Sequence, residues 1–350
     1  MSPKRPEVSS ARTRAGSLFG LLLILGISAM HAQTCTTQAR MSDSVRNDLS
    51  GAAMNLAQSI KDGNAARVQA VTIAEFASAS SFAPTASVVQ STAPKLVGDT
   101  LRVTQVYQLD ARGRKPGDTS EADFSCTLTG TTAETDFSIS GLPPGLYGFA
   151  MVEADGGRPW LLSFLLRQDS GVWKLAGFYP RVRTAAGHDG IWYWTSARAD
   201  VKAKEPWLAW VLYGVADVLL RPANFATSTN LDRMRAEQTA AAPPELINGL
   251  GPEMPLVIKA VSSKGVPTEY RFTSIVAEGS EDGRQLKLVL HLSADYLADP
   301  TAAKARNLAA ASALLDAHKD LRQDFDSVWV FADSPGHEPL LTQQPLSAIP

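Results

Sequence analysis

The hydrophobic period of this chain changes from helical to alternating and back, and these changes limit the folds that it can adopt. Over residues 42–62, apolar side chains recur every three or four positions, as on one face of an amphipathic helix. Over residues 101–181, apolar and polar residues alternate in short runs separated by turns. The helical period returns over residues 190–220, and alternating runs reappear after residue 255. This order predicts an α+β protein with antiparallel sheets.

The first predicted elements are a pair of helices followed by a linker. The helix over residues 42–62 has Ser42 or Asp43 available as its N-cap, because a short side-chain oxygen can accept a free first-turn N–H. The second helix is expected over Ala65–Ala77. The segment Ser78–Lys95 is rich in Ser, Thr, Ala and Pro, and this composition favours a linker or an extended loop.

A β-sandwich-like antiparallel domain is predicted next. Leu101–Asp110 alternates as one strand, and Phe137–Ala154 has the pattern of a strand, a tight turn and a strand. Within that pattern Pro144–Gly145 suits a type II turn, because proline fixes the second position and glycine tolerates the positive φ of the third. Trp160–Arg167 and Val172–Arg181 are expected to pair as a hairpin across the short turn QDSG.

Helices and a second α+β unit are expected after this sheet. Gly190–Lys204 and Pro206–Leu220 predict a helical hairpin that covers a sheet, and Asn230–Gln238 predicts a third helix. The Pro- and Gly-rich segment Ala241–Pro255 indicates a domain boundary, beyond which the order βββαββ favours an antiparallel sheet with one helix across a face. The predicted limits are 1–32 for a signal peptide, 33–95 for the N-terminal helices and linker, 96–186 for the antiparallel β domain, 187–245 for the helical hairpin region and 250–350 for the C-terminal α+β domain.

Three resemblances bear on these predictions. The stretch FSISGLPPGLYGFAMVEADG resembles the hairpin of carboxypeptidase-regulatory-like, transthyretin-like sandwiches, in which a strand ends in an apolar-Pro-Pro-Gly turn before a Tyr-containing strand. A competing resemblance is to NTF2-like cone folds, on the two N-terminal helices and a curved sheet that ends LLRQDSGVWKLAGFYPR. The first implies a β-sandwich and nothing about activity, and the second implies a fold that often carries a pocket. The whole chain also resembles a family of uncharacterised secreted bacterial proteins, which implies no function.

The N-terminus has the composition of a secretory signal peptide. Four basic residues precede the short apolar run Leu18–Ile27, and small and polar residues follow it up to Ala32. Because the run is too short to span a bilayer, we predict cleavage after Ala32 and a secreted or periplasmic location. An uncleaved anchor is the alternative. No later stretch is both long enough and apolar enough to span a membrane after signal cleavage.

Both cysteines, Cys35 and Cys126, lie beyond the predicted cleavage site. In an oxidising compartment an even pair favours one disulfide, and two separate unpaired thiols are the alternative. Two cysteines are too few for a structural zinc site.

The charge balance limits the partners. The chain has 33 basic and 35 acidic residues, and loss of the four basic and one acidic residues of 1–32 leaves 29 and 34, a net charge of −5. This balance excludes the basic signature of nucleic-acid binding and argues against an anionic membrane surface. The expected partner is an envelope ligand or protein whose identity the sequence does not reveal.

Motifs for catalysis, cofactors and metals are missing from the sequence. It contains no G-x-S-x-G, S-x-x-K, phosphate-binding G-x-x-x-x-G-K-[ST] or H-E-x-x-H pattern, so no catalytic residue, cofactor or metal ligand is predicted. The dipeptide His188–Asp189 directly precedes a predicted helix. We expect Asp189 to cap that helix, and a catalytic His188–Asp189 dyad is the alternative.

One aromatic segment is the best candidate for a ligand site. Trp192, Tyr193 and Trp194 cannot all face one core, because consecutive helical positions lie about 100° apart. Arg181 and Arg183 are expected to alternate onto one strand face just upstream. The predicted ligand-binding residues are Arg181, Arg183, His188, Asp189, Trp192, Tyr193 and Trp194. A packed interface between sheet and helices is the alternative for these residues.

Taken together, these observations favour an exported, non-catalytic protein that binds a ligand or acts as a scaffold at the cell envelope. The alternative is an envelope hydrolase or ligand-pocket enzyme centred on His188 and Asp189.

Overall fold

The computed structural model describes residues 33–261 and 265–349, and its α+β class confirms the predicted one. The predicted signal peptide lies outside these residues. The elements of the first half are β1 (Thr34–Thr37), α1 (Asp43–Lys61), α2 (Ala65–Ala70), α3 (Ala79–Thr92), β2 (Thr100–Asp110), β3 (Glu121–Thr127), β4 (Glu134–Ser140), β5 (Leu146–Asp155), β6 (Trp160–Asp169) and β7 (Val172–Val182). Those of the second half are β8 (Thr184–Ala185), β9 (His188–Asp189), α4 (Gly190–Ala203), α5 (Pro206–Leu220), β10 (Ala226–Ser228), α6 (Thr229–Ala240), β11 (Leu256–Val261), β12 (Pro267–Gly279), β13 (Leu286–Ser293), α7 (Pro300–Ala317), β14 (Ser327–Asp333) and β15 (Leu340–Pro345). Within the described ranges, no helix is long and apolar enough to cross a membrane.

The first helix forms where its apolar period and its cap predict it. Ser42 is the N-cap, and its side chain accepts a hydrogen bond from the N–H of Val45. The buried face consists of Leu49, Ala53, Leu56, Ala57 and Ile60. Gly63, at a φ of +66°, follows the helix in the left-handed region that favours glycine. The second helix, predicted over 65–77, ends earlier, at the end of α2.

The predicted linker over 78–95 is wrong, because most of it is α3. The side chain of Ser78 caps the first turn, and Phe82 and Val89, two turns apart, bury one face. Pro84 lies inside the helix, where it cannot donate the usual backbone hydrogen bond. Burial of the apolar face overrides the loop-like composition, so the N-terminal layer has three helices rather than a pair.

The first half is a two-sheet sandwich with a helical layer on one side. The large sheet has the order β1-β2-β5-β6-β7, and the small sheet has the order β10-β4-β3. One face of the large sheet packs against α1 and α3, and its other face packs against the small sheet. The predicted hairpin between β6 and β7 is confirmed, with Ser170 and Gly171 both at positive φ, as a two-residue type I′ turn requires.

The segment predicted as strand, tight turn and strand does not form a hairpin. β4 pairs within the small sheet and β5 within the large one, so the connection crosses from one sheet to the other. Pro143 and Pro144 have no N–H to continue a ladder, which favours this crossing. The predicted type II turn is wrong, since Gly141 rather than Gly145 has positive φ.

The disulfide between Cys35 and Cys126 confirms the predicted pairing. Cys35 lies on β1 of the large sheet and Cys126 on β3 of the small sheet, with their Cα atoms 5.3 Å apart. The bond therefore joins the two sheets of the sandwich. A structural disulfide indicates an oxidising, non-cytoplasmic compartment.

The second half is one core rather than a helical region and a separate domain. Side chains of α4, α5, α6 and α7 share a single hydrophobic cluster with the sheet β11-β12-β13-β14-β15. The segment 241–255, predicted as a boundary, connects two parts of this core. The sheet is also not wholly antiparallel as predicted: β13 and β14 are parallel, because α7 crosses between them and returns the chain in the same direction.

A cluster of carboxylates lies where α4 meets the segment after α7. Oδ2 of Asp200 is buried without a hydrogen-bond partner in the described part of the chain. Burial raises the pKa of Asp200 to about 6, with further contributions from the charges of Asp324, Glu205 and Asp320. Oδ2 of Asp320 meanwhile accepts hydrogen bonds from the N–H groups that begin α5. The fold therefore holds Asp200 where its charged form is disfavoured.

We expect Asp200→Asn to stabilise the protein at neutral pH. The pKa of Asp200 is raised on folding, from about 3.9 in unfolded chains, so stability falls as pH rises from about 4 to about 6. Because solvent screens this partly exposed carboxylate, we expect the substitution to raise the free energy of unfolding by only about 1 kcal/mol at pH 7. This gain should shrink toward pH 4. Urea unfolding at both pH values measures the difference, with exposed Asp48→Asn as a control of little effect. A gain of equal size at pH 4 and 7 would contradict this account.

Candidate functional site

The three consecutive aromatic residues of α4 have different surroundings. Tyr193 is 1% exposed and Trp194 is 9% exposed, whereas Trp192 is 41% exposed. Asp189 caps the helix as predicted, because its Oδ1 accepts a hydrogen bond of 2.8 Å from the N–H of Trp192. The first turn of α4 therefore places Tyr193 and Trp194 in the core and leaves Trp192 facing solvent.

His188 and Asp189 face different partners. The ring of His188 stacks on that of Trp192, with centroids 3.8 Å apart and planes 13° from parallel. No hydrogen bond between the side chains of His188 and Asp189 is present in the described part of the chain, since the Asp189 carboxylate accepts from the helix instead. This geometry does not assemble an acid–base dyad.

The two buried aromatic side chains are held by polar contacts. The hydroxyl of Tyr193 donates to the carbonyl of Ala185 over 2.8 Å, and Nε1 of Trp194 donates to Glu237 over 2.8 Å. Arg198 donates twice to Glu237 over 2.7 Å and lies over the Trp194 ring. These hydrogen bonds, those from Arg198 above all, lower the pKa of Glu237 to about 2. The carboxylate therefore stays charged and ties α4 to α6.

The two arginines predicted on one strand face have different contacts. Arg181, near the end of β7, donates to the carboxamide oxygen of Asn224. Arg183 lies just past the strand, where its backbone N–H donates to the carbonyl of Pro159 over 2.9 Å. Across residues 33–261 and 265–349, no hydrogen bond or ion pair engages the guanidinium of Arg183.

Arg183 lines a cavity of about 280 Å³ between the sandwich and the helices α4 and α6, here called the junction pocket. The large sheet, β4, β10, α4, the end of α5 and the start of α6 all contribute to its wall. The lining residues are Tyr107, Thr135, Met151, Leu161, Arg183, Ile191, Trp194, Leu220, Pro222, Thr227, Ser228, Asn230 and Leu231. Of the predicted ligand-binding residues, the structure places only Arg183 and Trp194 here, while His188, Asp189 and Trp192 lie on the neighbouring surface.

The wall of the junction pocket is mostly apolar. Met151, Leu161 and Trp194 supply much of this surface. Ile191, which is 54% exposed, lies at the mouth of the pocket. Burial raises the pKa of Tyr107, whose hydroxyl lies 3.2 Å from that of Thr135, so the phenol stays neutral near pH 7. An apolar cavity with a few polar groups is the usual form of a small-molecule site.

Two of the three grooves that are larger than the junction pocket have a different character. One, of about 530 Å³, lies between α1 and the turn after β6 and is lined by exposed polar residues such as Asp48. The other, of about 630 Å³, lies on the outer face of the small sheet, where Glu121, Asp123 and Asp136 are lining residues. Ser138 donates toward two of these carboxylates. Water hydrates such polar grooves well, so the junction pocket is the better candidate for a small ligand.

Comparison with known proteins gives no relative. No protein-family model matches the chain, and no curated protein or solved structure matches it significantly. In the described part of the chain, no group of three or more His, Cys, Asp or Glu side chains is placed to hold a metal ion. The candidate site therefore rests on its own geometry.

Proposed function

We propose that the protein is an exported binding protein of the cell envelope that takes up a small ligand in the junction pocket without transforming it. The observation that carries this proposal is the apolar cavity between sandwich and helices, with Arg183 among its lining residues. The disulfide between Cys35 and Cys126 supports export, because such bonds persist in oxidising compartments.

The lining of the pocket favours binding over catalysis. Its titratable side chains are the guanidinium of Arg183, which has no lone pair to accept a proton and is a poor general base, and the phenol of Tyr107, whose pKa burial raises. General acid–base catalysis works best with a group whose pKa lies near the working pH, and the raised pKa of Tyr107 lies further from neutrality than that of a free phenol. A hydrolase centred on His188 and Asp189 is less favoured, because the Asp189 carboxylate caps a helix.

Closing the mouth of the pocket tests the proposal. We expect Ile191→Trp to weaken binding of an eight-carbon probe such as octanamide by about tenfold or more, because the larger side chain at this exposed position covers the entrance. The wild type should bind the probe with a Kd on the order of 0.1–1 mM, as expected for about ten heavy atoms. Isothermal titration calorimetry measures both values.

Val201→Trp, at another exposed position of α4, is the matched control and should bind octanamide like the wild type. If neither octanamide nor its charged analogue octanoate binds the wild type, the proposal is wrong. Equal loss of affinity in both tryptophan variants would also count against the junction pocket.

A further inference from the structure

The environment of Arg183 is unusual among the arginines of this region. Arg198 pairs with Glu237, Arg221 pairs with Asp217, and Arg181 donates to Asn224. Arg183 is half-buried, yet no carboxylate or other acceptor of the described residues engages its guanidinium. An arginine is always protonated, and a partly desolvated cation without a counter-ion is costly. Its charge is thus available to a ligand.

The pocket around this cation supplies no negative charge of its own. None of the thirteen lining side chains named above is a carboxylate, and most are apolar or hold neutral hydroxyl and amide groups. A fixed positive charge beside an apolar wall is complementary to a molecule with an anionic head and an apolar body. A guanidinium can bind a carboxylate or a phosphate with two parallel hydrogen bonds, which adds orientation to the attraction.

The size of the cavity limits the body of such a molecule. At about 30 Å³ for each water molecule, a volume of about 280 Å³ holds the equivalent of roughly nine waters. A carboxylate with a chain of about eight carbons has a comparable number of heavy atoms. Longer chains would have to leave through the mouth beside Ile191.

We infer that the ligand of the junction pocket is a small amphipathic anion, whose anionic group pairs with Arg183 and whose apolar body contacts Met151, Leu161 and Trp194. This inference rests on the proposed function and adds the chemical class of the ligand to it.

Octanoate and octanamide test this inference, because they share size and chain and differ in charge. Calorimetric titration at 0.15 M salt should show that octanoate binds the wild type about tenfold to a hundredfold more tightly than octanamide, since charge-assisted hydrogen bonds exceed neutral ones by that amount. Arg183→Gln should remove this preference and leave the affinity for octanamide unchanged. Retained octanamide binding also shows that the variant pocket is folded.

Arg181→Gln makes the same change of charge two residues away and is the matched control. It should keep the preference for octanoate, because Arg181 does not line the pocket. Equal affinities of the wild type for the two probes would overturn the inference and leave the proposed function standing. A preference that survives Arg183→Gln would also overturn it, whereas binding of neither probe would refute the proposed function itself.

Discussion

Replacing Cys35 and Cys126 together with serine will lower the free energy of unfolding by about 4–5 kcal/mol. The disulfide closes a loop across a sequence separation of 91 residues. In the loop-entropy model, removal of such a cross-link increases the conformational entropy of the unfolded chain and so stabilises it by this amount. The loss is large because the entropy that a cross-link removes from the unfolded chain grows with the length of the loop it closes. Denaturant unfolding of the variant and of the oxidised wild type measures the difference.

The wild type unfolded in the presence of a strong reductant provides the control. Its stability should fall to that of the double-serine variant, since both lack the same bond. A variant within 1 kcal/mol of the oxidised wild type would show that the sandwich does not depend on the bond. Alkylation of two thiols in the exported protein without reductant would contradict the pairing itself.

Arg114→Met will lower the free energy of unfolding by about 3 kcal/mol. The side chain is 2% exposed and donates to the backbone carbonyls of Leu142, Glu121, Ser120 and Asp118 over 2.8–3.3 Å. It thus fixes the loop after β2 to the start of β3 and to the crossing between the sheets. Methionine has similar length but no donor, so it leaves these acceptors without their partner, at about 1–3 kcal/mol for each one that water cannot reach.

Arg112→Met is the matched control for Arg114. Arg112 is exposed and pairs with Asp110 at the surface, so its loss should change stability far less than the loss of Arg114. Thermal and denaturant unfolding of both variants separate the two roles. If the two substitutions have the same effect, the hydrogen bonds of Arg114 do not organise the loop.

Local sequence signals predict the elements that depend on a few neighbouring residues. Ser42 and Asp189 were identifiable as caps because capping acts within one helical turn. The hairpin of β6 and β7 was predictable from alternation and a short polar turn. Helix α3 was not, because its composition resembles a loop and its stability depends on burial of Phe82 and Val89 by other elements.

The pairing of strands and the candidate site depend on residues far apart in the sequence. Nothing near β4 and β5 shows that each joins a different sheet, because partners in both sheets decide this. The junction pocket likewise combines Tyr107, Met151 and Leu161 with Arg183 and Trp194. Only the last two were candidates from the sequence, where aromatic density and positive charge were the detectable signals. Tyr107, Met151 and Leu161 belong to strands whose apolar pattern is that of any buried strand, so the sequence does not distinguish them from core residues.

The side-chain methyl of Met151 reports directly on whether the junction pocket binds a small ligand. In protein labelled with ¹³C at the methionine methyl groups, saturating octanoate should shift the Met151 resonance, because this residue lines the pocket. The resonances of Met41 and Met54, which lie outside the pocket lining, should stay in place. Ligand binding in the junction pocket would be contradicted if the Met151 resonance stayed in place while that of Met41 or Met54 shifted. It would also be contradicted if none of the three resonances shifted.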